Sequence, residues 1–302
     1  MPEGILCIDK PEGWTSFDVV AKCRGITKCR KIGHGGTLDP MATGVLPLFL
    51  GRAAKAPDLM PVQEKRYLAG IRFGVTTDTQ DVTGRVLSES PLPVTREALE
   101  AALETQRGEI RQLPPMYSAV WVDGQRLYDL ARKGREVERP LRDVTVHRLE
   151  LLDFDPEART CTIDVTCSKG TYVRTICHDV GAALGCGGAL MSLRRTESLG
   201  FTQDQCVTLE ELAELCAAGR LEEVLLPVDS AFRCYGRIYL SPRQAAMFRS
   251  GAVLDTNRVR HPDTTDPLRV YEGGGSGRFL GLARVEPATQ ELLIIKLFAP
   301  AS

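Results

Sequence analysis

Gly33-His34-Gly35-Gly36-Thr37-Leu38-Asp39-Pro40-Met41-Ala42-Thr43-Gly44 decides how this chain is read. Three of its first four residues are glycine, which lets a second molecule approach the main chain closely. Such a loop packs poorly and surrounds a ligand well. It carries one histidine and one aspartate. Pro40 drives Asp39 out of the helical region, so the carboxylate sits on a fixed turn. After Gly44 the apolar run Val45-Leu46-Pro47-Leu48-Phe49-Leu50 predicts a buried strand ending at Gly51. Pro47 has no amide donor, which predicts an edge or bulged position for that strand. Two readings of Asp39 stand side by side: a nucleophile or base on a ligand-facing loop, and a carboxylate capping its own Asp-Pro turn.

Upstream, Ile5-Leu6-Cys7-Ile8 reads as a short strand, and Thr15 or Ser16 can cap a helix carrying Val19, Val20 and Cys23. Downstream, Lys65-Arg66-Tyr67-Leu68-Ala69-Gly70-Ile71-Arg72-Phe73 alternates, placing Tyr67, Ala69, Ile71 and Phe73 on one face. On that pattern alone Tyr67 is a core aromatic. A helix is expected from Arg96 to about Thr105, and a short basic helix over Gln125–Gly134. Strands are expected near Val144–Leu152 and Cys161–Cys167. Thr171 can cap a helix continuing through Ile176, Cys177, Val180 and Leu184. Arg174 falls in its first turn, where the helix dipole disfavours a cation; that misfit hints at a partner carboxylate. Short strands at Arg269–Tyr271 and Phe279–Val285 flank the loop Gly273-Gly274-Gly275-Ser276-Gly277.

The chain has 302 residues, 43% of them hydrophobic and 25% charged, which suits one large domain plus a small one. No apolar run has bilayer-spanning length. Met1-Pro2-Glu3-Gly4-Ile5 lacks the basic-then-apolar pattern of a secretory leader. A cytoplasmic location is expected. Net charge is −1, yet Lys22, Arg24, Lys28, Arg30 and Lys31 precede the glycine loop, and Arg126, Arg132, Lys133, Arg135, Arg139 and Arg142 form a second basic stretch. A near-neutral total can hide a basic face suited to phosphates. The ten cysteines include no Cys-x-x-Cys pair, so reduced thiols are expected and a metal site is not.

The glycine loop resembles the catalytic loop of the TruB family of bacterial tRNA pseudouridine-55 synthases. One departure, Gly35 where the family has threonine, is expected to loosen the loop without touching the aspartate. Further motifs follow in the family's order: Asp9-Lys10-Pro11-x-Gly13-x-Thr15-Ser16, which is read as bracing the loop from behind; Lys65-Arg66-Tyr67; Lys169-Gly170-Thr171-Tyr172-Val173-Arg174; and Leu190-Met191-Ser192-Leu193-Arg194-Arg195-Thr196. The resemblance implies an α+β pseudouridine-synthase fold, with a central mixed, largely antiparallel sheet flanked by helices. Residues 1–230 would form the catalytic domain, with an RNA-clamping insertion at about 115–143. Residues 231–302 would form a small β-rich PUA-like RNA-binding barrel.

The implied reaction converts uridine 55 of the tRNA T-loop to pseudouridine by detaching the base at N1 and reattaching it through C5. It needs no cofactor and no metal. In the implied site Asp39 is the nucleophile, and Arg174 pairs with it, aims it and lowers its pKa. Tyr67 stacks on the flipped base and could help remove the C5 proton. His34 enters the gap left in the RNA, Tyr172 and Leu193 line the substrate site, and Lys55 holds phosphate. The implied partner is the tRNA T-stem-loop, and a monomer is expected. A non-catalytic RNA-binding protein or tRNA-folding chaperone of the same fold, and a guide-RNA-dependent relative, are the competing readings.

Overall fold

The computed structural model describes residues 2–118, 120–122, 124–273 and 277–300. Ten strands form one mixed sheet. Its path runs Cys206–Val207, Gly4–Lys10, Thr43–Leu50, Gly188–Ser198, Lys65–Phe73, Thr160–Cys167, Arg142–Asp155 and Gly108–Gln112, with Ile32–His34 and Phe201–Thr202 attached at the side. Among the described residues two of its strand-to-strand pairings are parallel, Gly4–Lys10 with Cys206–Val207 and Thr43–Leu50 with Gly188–Ser198. The sheet is thus mixed and largely antiparallel, as expected.

Side-chain alternation explains how both faces become covered. Leu6, Ile8, Leu46, Leu48, Ala69 and Ile71 point to one face, where they meet Val20 and Cys23 of the Ser16–Thr27 helix, Ile176 and Val180 of the Val173–Ala183 helix, and Leu99 of the Arg96–Glu104 helix. Ile5, Cys7, Val45 and Phe49 point to the other and pack with Phe201, Phe232, Leu282 and Phe298. Thr15 caps the first helix in a reciprocal box with Asp18.

Pro47 lies neither at an edge nor in a bulge. Thr43–Leu50 has Gly4–Lys10 along one side, with Cys7 opposite Pro47. On its other side, two short pairings cover only positions 43–44 and 48–50. Pro47 falls in the gap between them, and its carbonyl accepts from the Gly35 amide there at 2.9 Å. The ladder asks for no donor at that position, so an interior proline is tolerated.

The antiparallel strands Gly108–Gln112 and Arg142–Asp155 pair directly. Residues 113–141 are therefore an excursion from the end of a hairpin. It has a small core of its own in Met116, Val120, Leu127 and Leu130. The helix there is shorter than expected, Leu127–Arg132, because Gln125–Arg126 instead pairs with Trp121–Val122. Asp123 and the Arg126 side chain lie outside the described residues.

A second, five-stranded sheet is ordered Gly236–Leu240, Leu268–Glu272, Phe279–Glu286, Glu291–Leu297, Leu254–Asp255. With the Pro242–Arg249 helix it encloses Ile238, Leu240, Phe248, Val270 and Leu292. The glycine loop expected after Glu272 falls largely on 274–276, outside the described residues.

Candidate active site

The turn bearing Asp39 is held from behind by the first strand and the start of the first helix. The Lys10 ammonium, fully buried, donates to the carbonyls of Pro11 (2.8 Å), Trp14 (2.6 Å) and Pro40 (3.2 Å). The Gly13 amide also donates to Pro40 O at 2.8 Å. Ser16 Oγ donates to the Leu38 carbonyl at 3.2 Å and accepts from the Leu38 amide at 2.8 Å. Asp39 O accepts from Ala42 N at 3.1 Å, closing a turn over Pro40. The Asp39 carboxylate takes no part in that turn. Gly35 is buried, and a Cβ there would lie 2.5 Å from Leu199 Cδ1 and 3.0 Å from Phe49 Cε2. The loop is packed at this point rather than loosened, because Leu199 occupies the space a side chain would need.

The carboxylate turns instead to Arg174, whose Nε lies 2.9 Å from Asp39 Oδ2. Arg174 is 4% exposed and sits in the first turn of the Val173–Ala183 helix. Its remaining donors are fixed too: Nη1 to Thr79 O at 3.1 Å and Nη2 to Tyr117 O at 2.8 Å. Asp81 Oδ2 is 3.8 Å from Nη1. Asp81 is otherwise occupied by Thr79 and Thr83, whose hydroxyls donate to its Oδ1 at 2.8 and 2.5 Å. Thr171 does not cap the helix. Its hydroxyl donates back to Ser168 O at 3.0 Å, and Tyr172 is the cap residue, with no side-chain cap bond. The Gln112 amide holds the Tyr172 peptide from both sides, accepting from its N at 2.9 Å and donating to its O at 3.2 Å.

Asp39, Tyr67, Tyr172, Arg174 and Leu193 line one cavity of about 200 Å³, together with Thr37, Lys65, Ser118 and Thr171. That is below the size of a typical drug-like pocket and suits a single base. Asp39 keeps 36% of its side-chain surface open, but the opening is into this concavity. Burial pushes its carboxyl above the ordinary carboxylate range, with Arg174 pulling it down and Asp81 pushing it up. Arg174 does lower it, as expected, but desolvation outweighs the ion pair and the net shift is upward.

Burial likewise pushes the Tyr67 phenol up to about 12. It stays protonated at neutral pH, which makes it a poor base for the C5 proton. His34 does not line the cavity. It ends the Ile32–His34 strand, where its Nδ1 accepts from the Gly36 amide at 3.3 Å. Burial, with Arg195 and Lys65 nearby, lowers its pKa, so it is neutral. Lys55 is also outside the cavity; its ammonium is exposed and donates to Leu297 O at 3.2 Å.

Three residues were not singled out by sequence reasoning. Arg195 is fully buried and donates to Val45 O (2.7 Å), Gly36 O (3.1 Å) and Thr37 O (3.4 Å), tying down the loop ahead of Asp39. Lys65 lines the cavity beside Tyr67. Ser118, 6% exposed, presents a buried hydroxyl that has no hydrogen-bond partner among the described residues. The basic run Arg194-Arg195 was the available signal for the first. Its split roles come from strand alternation, since Arg194 turns to Asp9 at 2.7 Å.

A buried guanidinium thus holds a carboxylate at the wall of a base-sized cavity on a mixed sheet, and the family to which that arrangement belongs comes from comparison with known proteins. Residues 24–173 match the family model described as TruB family pseudouridylate synthase (N terminal domain), and 174–233 match that of the tRNA pseudouridylate synthase B C-terminal domain. A tRNA pseudouridine synthase B from Azoarcus sp. strain BH72 is 46% identical over 93% of this chain and 90% of its own length. One from Lactobacillus delbrueckii subsp. bulgaricus is 43% identical over 92% of this chain and 97% of its own. A solved Cbf5-Nop10-Gar1 complex contains a similar chain, with TM-score 0.74 and 25% identity over 99% of this chain and 85% of that one. The chain belongs to the TruB family of pseudouridylate synthases.

Proposed function

We propose that this protein converts uridine 55 in the T-loop of tRNA to pseudouridine, with Asp39 as nucleophile. The relatives that cover nearly the whole chain are named for tRNA pseudouridine synthesis, and the enzyme is read accordingly as an isomerase. The observation that carries the mechanistic part is the 2.9 Å Arg174–Asp39 contact between two residues that line the cavity. A desolvated carboxylate is a stronger nucleophile than a hydrated one, and a fixed guanidinium aims it. The base detaches at N1, turns and is joined through C5, so atoms balance without a co-reactant.

The uridine is stacked in the free T-loop and has to be flipped out, costing a few kcal/mol. Stacking on Tyr67, at roughly 1–3 kcal/mol per base, offsets much of that, with Leu193 and Tyr172 closing the walls. A neutral His34 at the loop's start suits a wedge better than an acid or base. Residues 1–230 would carry the reaction and 231–302 would bind RNA. The excursion at about 115–143 would clamp the stem-loop: Arg132, Lys133 and Arg135 are exposed on it, and Arg132 lies 5.4 Å from the Tyr128 ring. Lys55, on the outer surface, would meet a phosphate remote from the cavity. The protein is expected to act as a cytoplasmic monomer; among the described residues no helix is long and apolar enough to cross a membrane.

Mapping pseudouridine in a bare T-arm transcript tests the reading. Modification at position 55 alone, without guide RNA, is expected. An unmodified transcript that nevertheless binds would favour the non-catalytic RNA-binding alternative.

A further inference from the structure

We propose that Lys65 is a further substrate-binding residue, whose ammonium takes a backbone phosphate of the RNA delivering its uridine to Asp39. This rests on the function proposed above. Lys65 opens the Lys65–Phe73 strand two residues before Tyr67, so both side chains leave the same face of the sheet. It lines the same cavity as Asp39 and Tyr67. Its ammonium lies against the glycine loop, so close that a Cβ on Gly36 would come within 3.1 Å of Nζ. A side chain at Gly36, whose φ is +131°, would have to push the Lys65 tip aside by a few tenths of an ångström.

The neighbours of this ammonium supply no negative charge. Arg195 faces it from the Gly188–Ser198 strand, Lys169 from the turn after Cys167, and His34 from the glycine loop; the Cys167 thiol lies beside it. Ser198 and Cys167 are its cross-strand partners, and Ser198 Oγ is itself buried without a hydrogen-bond partner among the described residues. The nearby acids are committed elsewhere: Glu64 faces His147 at 3.5 Å, Asp58 faces Lys169 at 3.5 Å, and Asp164 holds Arg66. Among the described residues the Lys65 ammonium has no hydrogen-bond acceptor and no ion pair.

Lys10 is the useful contrast. It is a buried lysine of structural type, and its three donors all have carbonyl acceptors. Lys65 is only partly buried and open to the cavity, and its donors are unspent. Holding an ammonium among cations costs free energy, and burial and Arg195 lower its pKa to about 8. What satisfies an unpaired ammonium beside the Arg195 guanidinium is a full negative charge, and the phosphodiester is the group on RNA that carries one. A phosphate there forms a charge-assisted hydrogen bond and restores the proton to Lys65.

RNA binding is therefore expected to take up a proton near pH 8. In the wild type, the Kd for a T-arm stem-loop weakens as pH rises through about 8, while kcat stays flat. Lys65→Arg keeps its charge and removes this alkaline limb. Lys65→Met raises Kd and KM about tenfold at pH 7, lowers the salt slope of binding by about 0.7, and leaves kcat within about twofold. Unchanged Kd and salt slope in Lys65→Met overturn the proposal. So does a loss of kcat with KM intact, which would make Lys65 a proton-transfer group. If Lys65→Met does not fold, the comparison of wild type with Lys65→Arg decides alone, and identical alkaline limbs overturn it. A wild type that makes no pseudouridine fails the function proposed above, whereas a modifying wild type with these unaltered variants fails only the role of Lys65.

Discussion

Asp39 sits where burial works against its own charge, and its folded-state pKa is raised. The sign for stability follows. Above the folded pKa the ionised carboxylate makes folding less favourable, and below the unfolded pKa that penalty is gone. Asp39→Asn is therefore expected to have an equal or higher Tm than wild type at pH 7, with the gap closing as pH falls toward the acid range. A clear loss of Tm at pH 7 would mean that the Arg174 pair is net stabilising. Arg195 is predicted to behave in the opposite way. Its replacement by lysine leaves loop carbonyls unsatisfied and should cost about 2–4 kcal/mol in urea unfolding, with kcat falling more than KM rises. Asp39 was legible because glycine, Asp-Pro and a following apolar run sit together in sequence. Arg195 and Lys65 were not, since each meets the loop only through cross-strand register: Arg195 opposite Tyr67, and Ser198 opposite Lys65. Gln112 reaches Tyr172 across 60 residues, a separation on which local patterns are silent.

Elements were legible where period and burial agree. The alternation over Lys65–Phe73 placed Tyr67, Ala69, Ile71 and Phe73 inside, and all four are buried. The errors arose where neighbours override local rules. Pro47 is tolerated in an interior strand because its missing donor faces a gap between two short partners. Tyr172 rather than Thr171 is the cap residue: the Thr171 hydroxyl turns back to Ser168 O, while a distant glutamine fixes the Tyr172 peptide. The excursion over 113–141 offers a prediction at this scale. Its four buried apolar residues form a core separate from the sheet, so Leu127→Ala should unfold it locally, giving early protease cleavage near 120–135 with little change in the global Tm. Cleavage spread over the whole chain would show that the two cores unfold together. Reversing Arg132, Lys133 and Arg135 to glutamate is expected to raise KM for the T-arm at least tenfold with kcat nearly unchanged; an equal fall in kcat would place the excursion in the chemistry rather than in binding.

Across the whole molecule, the two sheets share one apolar seam. Phe232, Leu282 and Phe298 pack with Ile5, Cys7 and Phe49, and Arg52 meets Glu3 at 2.8 Å beside it. One cooperative thermal transition is predicted for the full chain, and Phe232→Ala should lower stability by roughly 3–5 kcal/mol as a shift of that single transition. Two well-separated transitions would contradict a shared seam. The composition shift near residue 230 was visible in sequence; the seam was not, because the strand faces that form it are set by register. The account as a whole rests on one carboxylate meeting one extruded uridine, and the release of tritium from C5-labelled uridine in tRNA measures that step directly. Wild-type protein is predicted to release one equivalent per tRNA. Asp39→Asn should release none while binding the same tRNA within about threefold of wild type. Release by the variant at a rate near that of wild type would contradict the account.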